Sequence, residues 1–178
     1  IARELGSAVA TDDEVFAELL PELLRGGNRA VAFGRGLAGA SPDHRASWAR
    51  LVDGLEQIAP EQRNVQVLRG FLAVLWEQDR DLAQTFLDSV LDQPAVRELL
   101  PELHTAVEID ERGVERLKRA LSAGQAPVWM YRNLAYGRTT DHLAGGTLKD
   151  LLLLIADQSD GFDVALEILS MRLYSDRS

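Results

Sequence analysis

The sequence predicts an all-α protein of about ten helices, stacked as a helical-repeat array in two tandem units of about 80 residues. Three observations carry that expectation. Apolar residues recur at helical spacing along almost the whole chain. Val, Ile and Thr never alternate over a useful length, so no credible strand emerges. The hexapeptide ELLPEL occurs at Glu18 to Leu23 and again at Glu98 to Leu103, each copy with a proline inside an otherwise helical pattern.

The elements follow in chain order. The opening IARELGSAVA has no clear cap, and a chain that starts at Ile1 reads as a domain excised from a longer protein. TDDEVFAELLPELLRGG takes Thr11 or Asp12 as N-cap, acids in its first turn and Gly26-Gly27 as its stop. Its apolar face is Phe16, Leu19, Leu20, Leu23 and Leu24. ASPDHRASWARLVDGLEQIAP takes Ser41 as cap and Pro42 as first helical residue, with a stripe of Trp48, Leu51, Val52, Leu55 and Ile58. Further helices are expected at Val65 to Glu77, Leu82 to Leu91, Ala95 to Val107, Glu111 to Ser122, Pro127 to Tyr136, Thr147 to Asp157 and Phe162 to Tyr174.

The repeat extends beyond the hexapeptide. Phe16, Leu19, Leu20 and Leu23 fall over Val96, Leu99, Leu100 and Leu103. With small shifts, Phe33 and Leu37 then fall over Leu117 and Leu121, and Trp48 and Leu51 over Tyr131 and Leu134. LRGFLAVLWEQ meets LKDLLLLIADQ, and LAQTFLDSVL meets VALEILSMRL. Unit one spans about 12–92 and unit two about 95–174 of a single helical-repeat domain, with the seam at Asp92 to Val96. An interior proline costs about 3 kcal/mol in an unkinked helix, so Pro21 and Pro101 read as kinks or helix restarts.

Composition bounds the function. A net charge of −9 and a pI near 4.8 disfavour nucleic acid, which asks for a basic face. The absence of cysteine removes disulfides and thiolate sites and fits a cytoplasmic location. Seventeen arginines against two lysines point to GC-rich bacterial coding. The longest apolar run, LLLLIA at Leu151 to Ala156, is too short to span a bilayer.

No motif supplies catalytic, cofactor-binding or metal-ligating residues. GRGLAG (Gly34 to Gly39), with Asp53 following, fits G-x-G-x-x-G but lacks the preceding strand, so close helix approach is the better account of its small residues. DQSDGFD (Asp157 to Asp163) fails as a calcium loop, because Phe162 and Ile168 stand where glycine and glutamate belong. It reads as a turn in which Gly161 breaks the helix. His44, His104 and His142 are far apart in sequence and read as surface or cap-adjacent. Trp48, Trp76 and Trp129 read as packing residues.

One stretch asks for more. YRNLAYGRTTDHLAGGT places a polar loop, Gly137 to Gly146, where the first copy has only LEQIAPEQRN. Tyr131, Arg132 and Tyr136 on the preceding helix, with Arg138, Thr139, Thr140, Asp141 and His142 in the loop, form the candidate partner- or ligand-binding set.

With its helix pairs, leucine stripes and repetition, the chain resembles the HEAT- and armadillo-like α-solenoids along nearly its whole length. The five-helix unit departs from their simple two-helix repeats. The resemblance implies a right-handed scaffold that binds protein or peptide along an extended surface. With no catalytic or cofactor motif and no membrane-spanning run, the first reading is a noncatalytic interaction or sensor module of a larger bacterial protein. Such repeats often follow a nucleotide-hydrolysing signalling core, an association by fold alone. A helical enzyme or small-ligand domain with its site at 131–147 is the first alternative. A structural spacer or oligomerisation segment is the second.

Overall fold

A computed structural model describes residues 1–175. They are all-helical, with ten α-helices and five short 3-10 segments and no strand among the described residues. The chain divides into two compact units, Ile1–Val96 and the remainder from Arg97.

The first unit contains α1 (Ala2–Val9), α2 (Asp13–Leu24), α3 (Ala30–Ala40), α4 (His44–Glu56), α5 (Gln66–Gln78) and α6 (Arg80–Ser89). Carboxylates open three of them. Asp12 accepts from Val15 N at 3.1 Å, Asp43 from Arg45 N and Ala46 N at 2.9 and 3.0 Å, and Asp79 from Leu82 N at 3.0 Å. Each cap contributes about 1 kcal/mol by satisfying an otherwise orphaned donor. Asp43, not Ser41, therefore starts α4: Ser41 precedes a proline and is held extended at the end of α3, its hydroxyl on Ser47 at 2.9 Å. The uncapped opening segment is itself a helix, stabilised by what it packs against rather than by its ends.

That packing is glycine-based. Helix α3 lies against α1 on one side and α5 on the other. A Cβ on Gly36 would stand 1.9 Å from the Arg3 carbonyl oxygen, and one on Gly6 only 2.1 Å from that of Phe33. Across the other contact, Gly34 and Gly70 bring the same relation to the Val67 and Val31 carbonyls, each at 2.0 Å. Two of the three GRGLAG glycines thus serve close helix approach, while Gly39 faces open space. Around this layer Phe33, Leu37, Leu68, Phe71 and Leu72 are buried, and Trp48 stacks on Phe86 at 5.0 Å between ring centroids. His44 donates to the Ala38 carbonyl at 2.8 Å beside the first turn of α4.

The second unit contains α7 (Leu100–Leu103), α8 (Glu111–Ser122), a 3-10 helix at Val128–Ala135, α9 (Gly145–Ala156) and α10 (Gly161–Ser175). Two expected helices are corrected here. Ala95 to Val107 is not one helix: 3-10 turns at Arg97–Leu99 and His104–Ala106 flank a single α turn, Leu100–Leu103, with Pro101 at its start. Pro127 to Tyr136 is 3-10 rather than α and ends at Ala135. Proline pre-sets such a start but cannot donate to the turn before it.

Residues away from the predicted loop also differ from expectation. Gly161 does not break a helix but begins α10, where a Cβ would meet the Ile155 carbonyl oxygen at 1.8 Å; Asp160, at φ 60°, makes the left-handed turn. His104 is buried, not superficial, and the buried Arg116 guanidinium donates to its Nε2 at 3.2 Å. Since guanidinium has no acceptor, that nitrogen must be unprotonated. Trp129 is exposed rather than packed, and Trp76 lies under the Arg80 guanidinium at 4.4 Å.

Candidate functional site

The loop singled out by sequence is built mostly to satisfy itself. Tyr131 is fully buried, its hydroxyl donating to the Leu117 carbonyl at 2.7 Å, and burial pushes its phenol well above the usual range. Thr139 and Thr140 are also buried. The Thr139 hydroxyl donates to the Leu134 carbonyl at 3.0 Å, closing the end of the 3-10 helix, and Arg172 of α10 donates to the Thr140 carbonyl. The backbone turns through left-handed conformations at Gly137 (φ 72°) and Arg138 (φ 59°), which bends the chain back onto α10. The loop is shorter than expected, because α9 begins at Gly145 rather than Thr147.

Four of the remaining candidates form two polar clusters against α10. Arg132 pairs with Glu167 at 2.7 Å, and the Tyr136 hydroxyl donates to the same carboxylate at 2.5 Å. That hydrogen bond, then the carboxylate charge, raises the Tyr136 phenol above its ordinary value. Arg138 pairs with Asp141 at 2.6 Å, and the Ser175 hydroxyl donates to the same oxygen at 2.8 Å. The Arg138 hydrogen bond, then that of Ser175, holds the Asp141 carboxyl below its ordinary value. A hollow of about 210 Å³ lies beside the second cluster, lined by Leu134, Arg138, Thr140, Asp141, Arg172 and Tyr174 among others.

His142 stands apart. It is exposed and lines a separate hollow of about 220 Å³ with Glu108, Asp110, Glu111 and Thr147. No group of three or more potential metal ligands occurs among the described residues. None of their helices is long and apolar enough to cross a membrane.

Sequence reading missed a different feature of this unit. Helices α9 and α10 pack together and leave between them an apolar groove of about 380 Å³. Its walls include Leu148, Leu152, Leu153, Phe162, Leu166, Leu169 and Leu173. Five of these are large and open to solvent: Phe162 at 66%, Leu153 at 58%, Leu173 at 50%, Leu166 at 49% and Leu169 at 39%. The signal was present in LLLLIA. Four successive leucines at 100° per residue surround a helix, so a core on one side leaves at least one leucine facing out. Chemically, this groove can exclude water from an apolar surface; the polar loop offers ion pairs that are already made. No protein family, curated protein or solved structure matches this chain.

Proposed function

We propose that this chain is a noncatalytic protein–protein interaction module of a larger bacterial protein, built as a helical repeat with two tandem five-helix units in an α-solenoid-like array. The observation that carries the reading is the open apolar groove of α9 and α10. Contiguous exposed apolar surface on a folded domain marks a place where another surface docks. The polar loop argues the same way by contrast. Arg132, Tyr136, Arg138 and Asp141 are engaged with α10 or with one another. A catalytic or small-ligand site needs poised groups converging on a pocket, and the lowered carboxyl of Asp141 is a paired anion rather than a poised acid. The reading assigns the cytoplasm, on the cysteine-free composition.

The repeat is supported by internal correspondences. From α2 onward the first unit runs α2-α3-α4-α5-α6, and the second runs α7-α8-(3-10 helix)-α9-α10. Three packed pairs correspond: α3 with α5 and α8 with α9; α2 with α4 and α7 with the 3-10 helix; α5 with α6 and α9 with α10. Aligned positions are buried in both copies, among them Phe33 and Leu117, Trp48 and Tyr131, Phe71 and Leu151, and Phe86 and Ile168.

A photo-crosslinking residue at Leu166, read in the native host by mass spectrometry, tests the interaction function. The expected result is a defined protein adduct that the same residue at exposed Glu115 does not give. Equal adducts at both positions, or none at either, would sink the reading.

A further inference from the structure

We infer that the occupant of the α9–α10 groove is a second copy of this chain, docked by a two-fold axis that sets the two α9 helices antiparallel across Leu153. The inference rests on the interaction reading above and names its partner.

Charge is distributed unevenly along the groove. Lys149 and Arg172 line it near the start of α9 and the end of α10. Exposed Asp157 and Asp160 stand at the opposite end, in the turn between the helices. The groove lining carries its cations at one end, with Arg172 also held on the Thr140 carbonyl, and the two aspartates lie just beyond the other end, with leucines between. A two-fold contact joins the same patch to itself, so it is favourable only where rotation brings unlike ends together. Here it does. Lys149 and Asp157 lie symmetrically four residues either side of Leu153. They are separated by about 12 Å along the helix, or just over two turns. An axis through Leu153 thus sets Lys149 of each copy opposite Asp157 of the other.

The aligned positions of the first unit add a second argument. Leu87 and Leu91 correspond to Leu169 and Leu173 in the proposed repeat. The first pair is buried, at 0% and 5%, whereas the second pair is open. The open pair in the second unit therefore lacks a cover that its counterpart has, and exposed apolar surface of this kind marks a docking face. Two copies meeting through α9 and α10 would cap each other as an antiparallel four-helix layer.

Sedimentation equilibrium of the full chain over a wide concentration series tests the proposal. Wild type should reach a dimer and stop there. Leu169→Glu should be monomeric with an unchanged helical circular dichroism spectrum. Lys149→Glu or Asp157→Lys alone should each weaken association about tenfold, by placing like charges together at both ends of the contact. The double variant, Lys149→Glu with Asp157→Lys, should recover it, a rescue that a merely damaged surface would not give. A wild-type monomer at all concentrations, growth beyond a dimer, a Leu169→Glu variant that still dimerises, or a charge swap without rescue would each overturn it. If the Leu166 crosslink then captures a different protein, the interaction reading survives without the second copy. If it captures none, both fall.

Discussion

In the first unit ELLPEL lies along α2 with Glu18, Leu19, Pro21 and Glu22 exposed and Leu20 and Leu23 half-buried; in the second, Leu100, Pro101 and Leu103 are buried. The same six residues form a continuous α-helix in one setting and a 3-10 turn followed by a single α turn in the other. Local propensity is identical, so the difference comes from what each copy packs against. The first unit closes around backbone-to-backbone glycine contacts of α3, which leave α2 toward the outside. At the aligned positions the second unit has Lys118 and Ala120 in place of Gly34 and Gly36. It fills its core with side chains instead, including the hexapeptide and Tyr131.

The sharpest way to break that contrast is to thicken α3. Gly36→Val places atoms where the Arg3 carbonyl already sits, with a Cβ at 1.9 Å. Backbone cannot swing aside as a flexible side chain does, so α1 must separate from α3. The expected loss is about 4 kcal/mol or more, among the larger single-residue effects. Urea denaturation followed by circular dichroism would measure it. Ala120→Val on α8 has no glycine-mediated backbone approach to disrupt, and its overpacking should cost about 1–3 kcal/mol.

The two prolines should respond with opposite sign. Pro21 sits in the interior of α2, exposed, where the helix runs on but its missing N–H removes one hydrogen bond. Pro21→Ala restores a hydrogen bond to the Ala17 carbonyl and should stabilise by about 1–2 kcal/mol after the gain in unfolded-chain entropy. Pro101 is buried at the start of α7, where an N–H has no helical partner. Pro101→Ala removes packed carbon and loosens the unfolded chain, and should destabilise by about 1 kcal/mol. Matching shifts of the same sign in the two urea midpoints would show that both prolines occupy the same kind of site.

Those prolines also mark where sequence was legible. The all-helical class, the Asp12 cap and the close approach at Gly34 and Gly36 followed from short-range rules, because spacing, side-chain acceptors and missing Cβ atoms act over a few residues. The split of Ala95 to Val107 did not, since ELLPEL reads alike in both places and tertiary packing selects the outcome. In the candidate site, sequence found Arg138 and Asp141 as neighbours but not what α10 brings to the loop and its flank: Glu167 to Arg132 and Tyr136, Arg172 to the Thr140 carbonyl and Ser175 to Asp141, each about thirty residues downstream. No local pattern encodes that meeting. The outward leucines of α9 were visible, yet a run of apolar residues reads as core until a helix is known to have only one covered side.

The smallest effect belongs to the loop at Gly137 to Leu143, the segment in which the units differ most in chemistry. At the corresponding corner of the first unit, Arg63 donates to the Leu55 and Ile58 carbonyls, each at 3.0 Å. The second uses the Thr139 hydroxyl there and spends its arginine, Arg138, on Asp141. Because the Asp141 carboxyl is held below its ordinary value of 3.8, it stays ionised in the folded chain at a pH where the unfolded chain has begun to take up a proton. Its contribution is therefore fully present above the unfolded value and is lost as the pH falls through the lowered folded one. Arg138→Met keeps a long side chain but removes the charge and the Nε donor, so the Asp141 midpoint in a carboxyl NMR titration should rise toward 3.8. It should not reach that value while Ser175 still donates to the carboxylate, and the additional change Ser175→Ala should carry it further. A midpoint unmoved by either substitution would mean that the loop is held by Thr139 and Arg172 alone, as a structural corner with no electrostatic share.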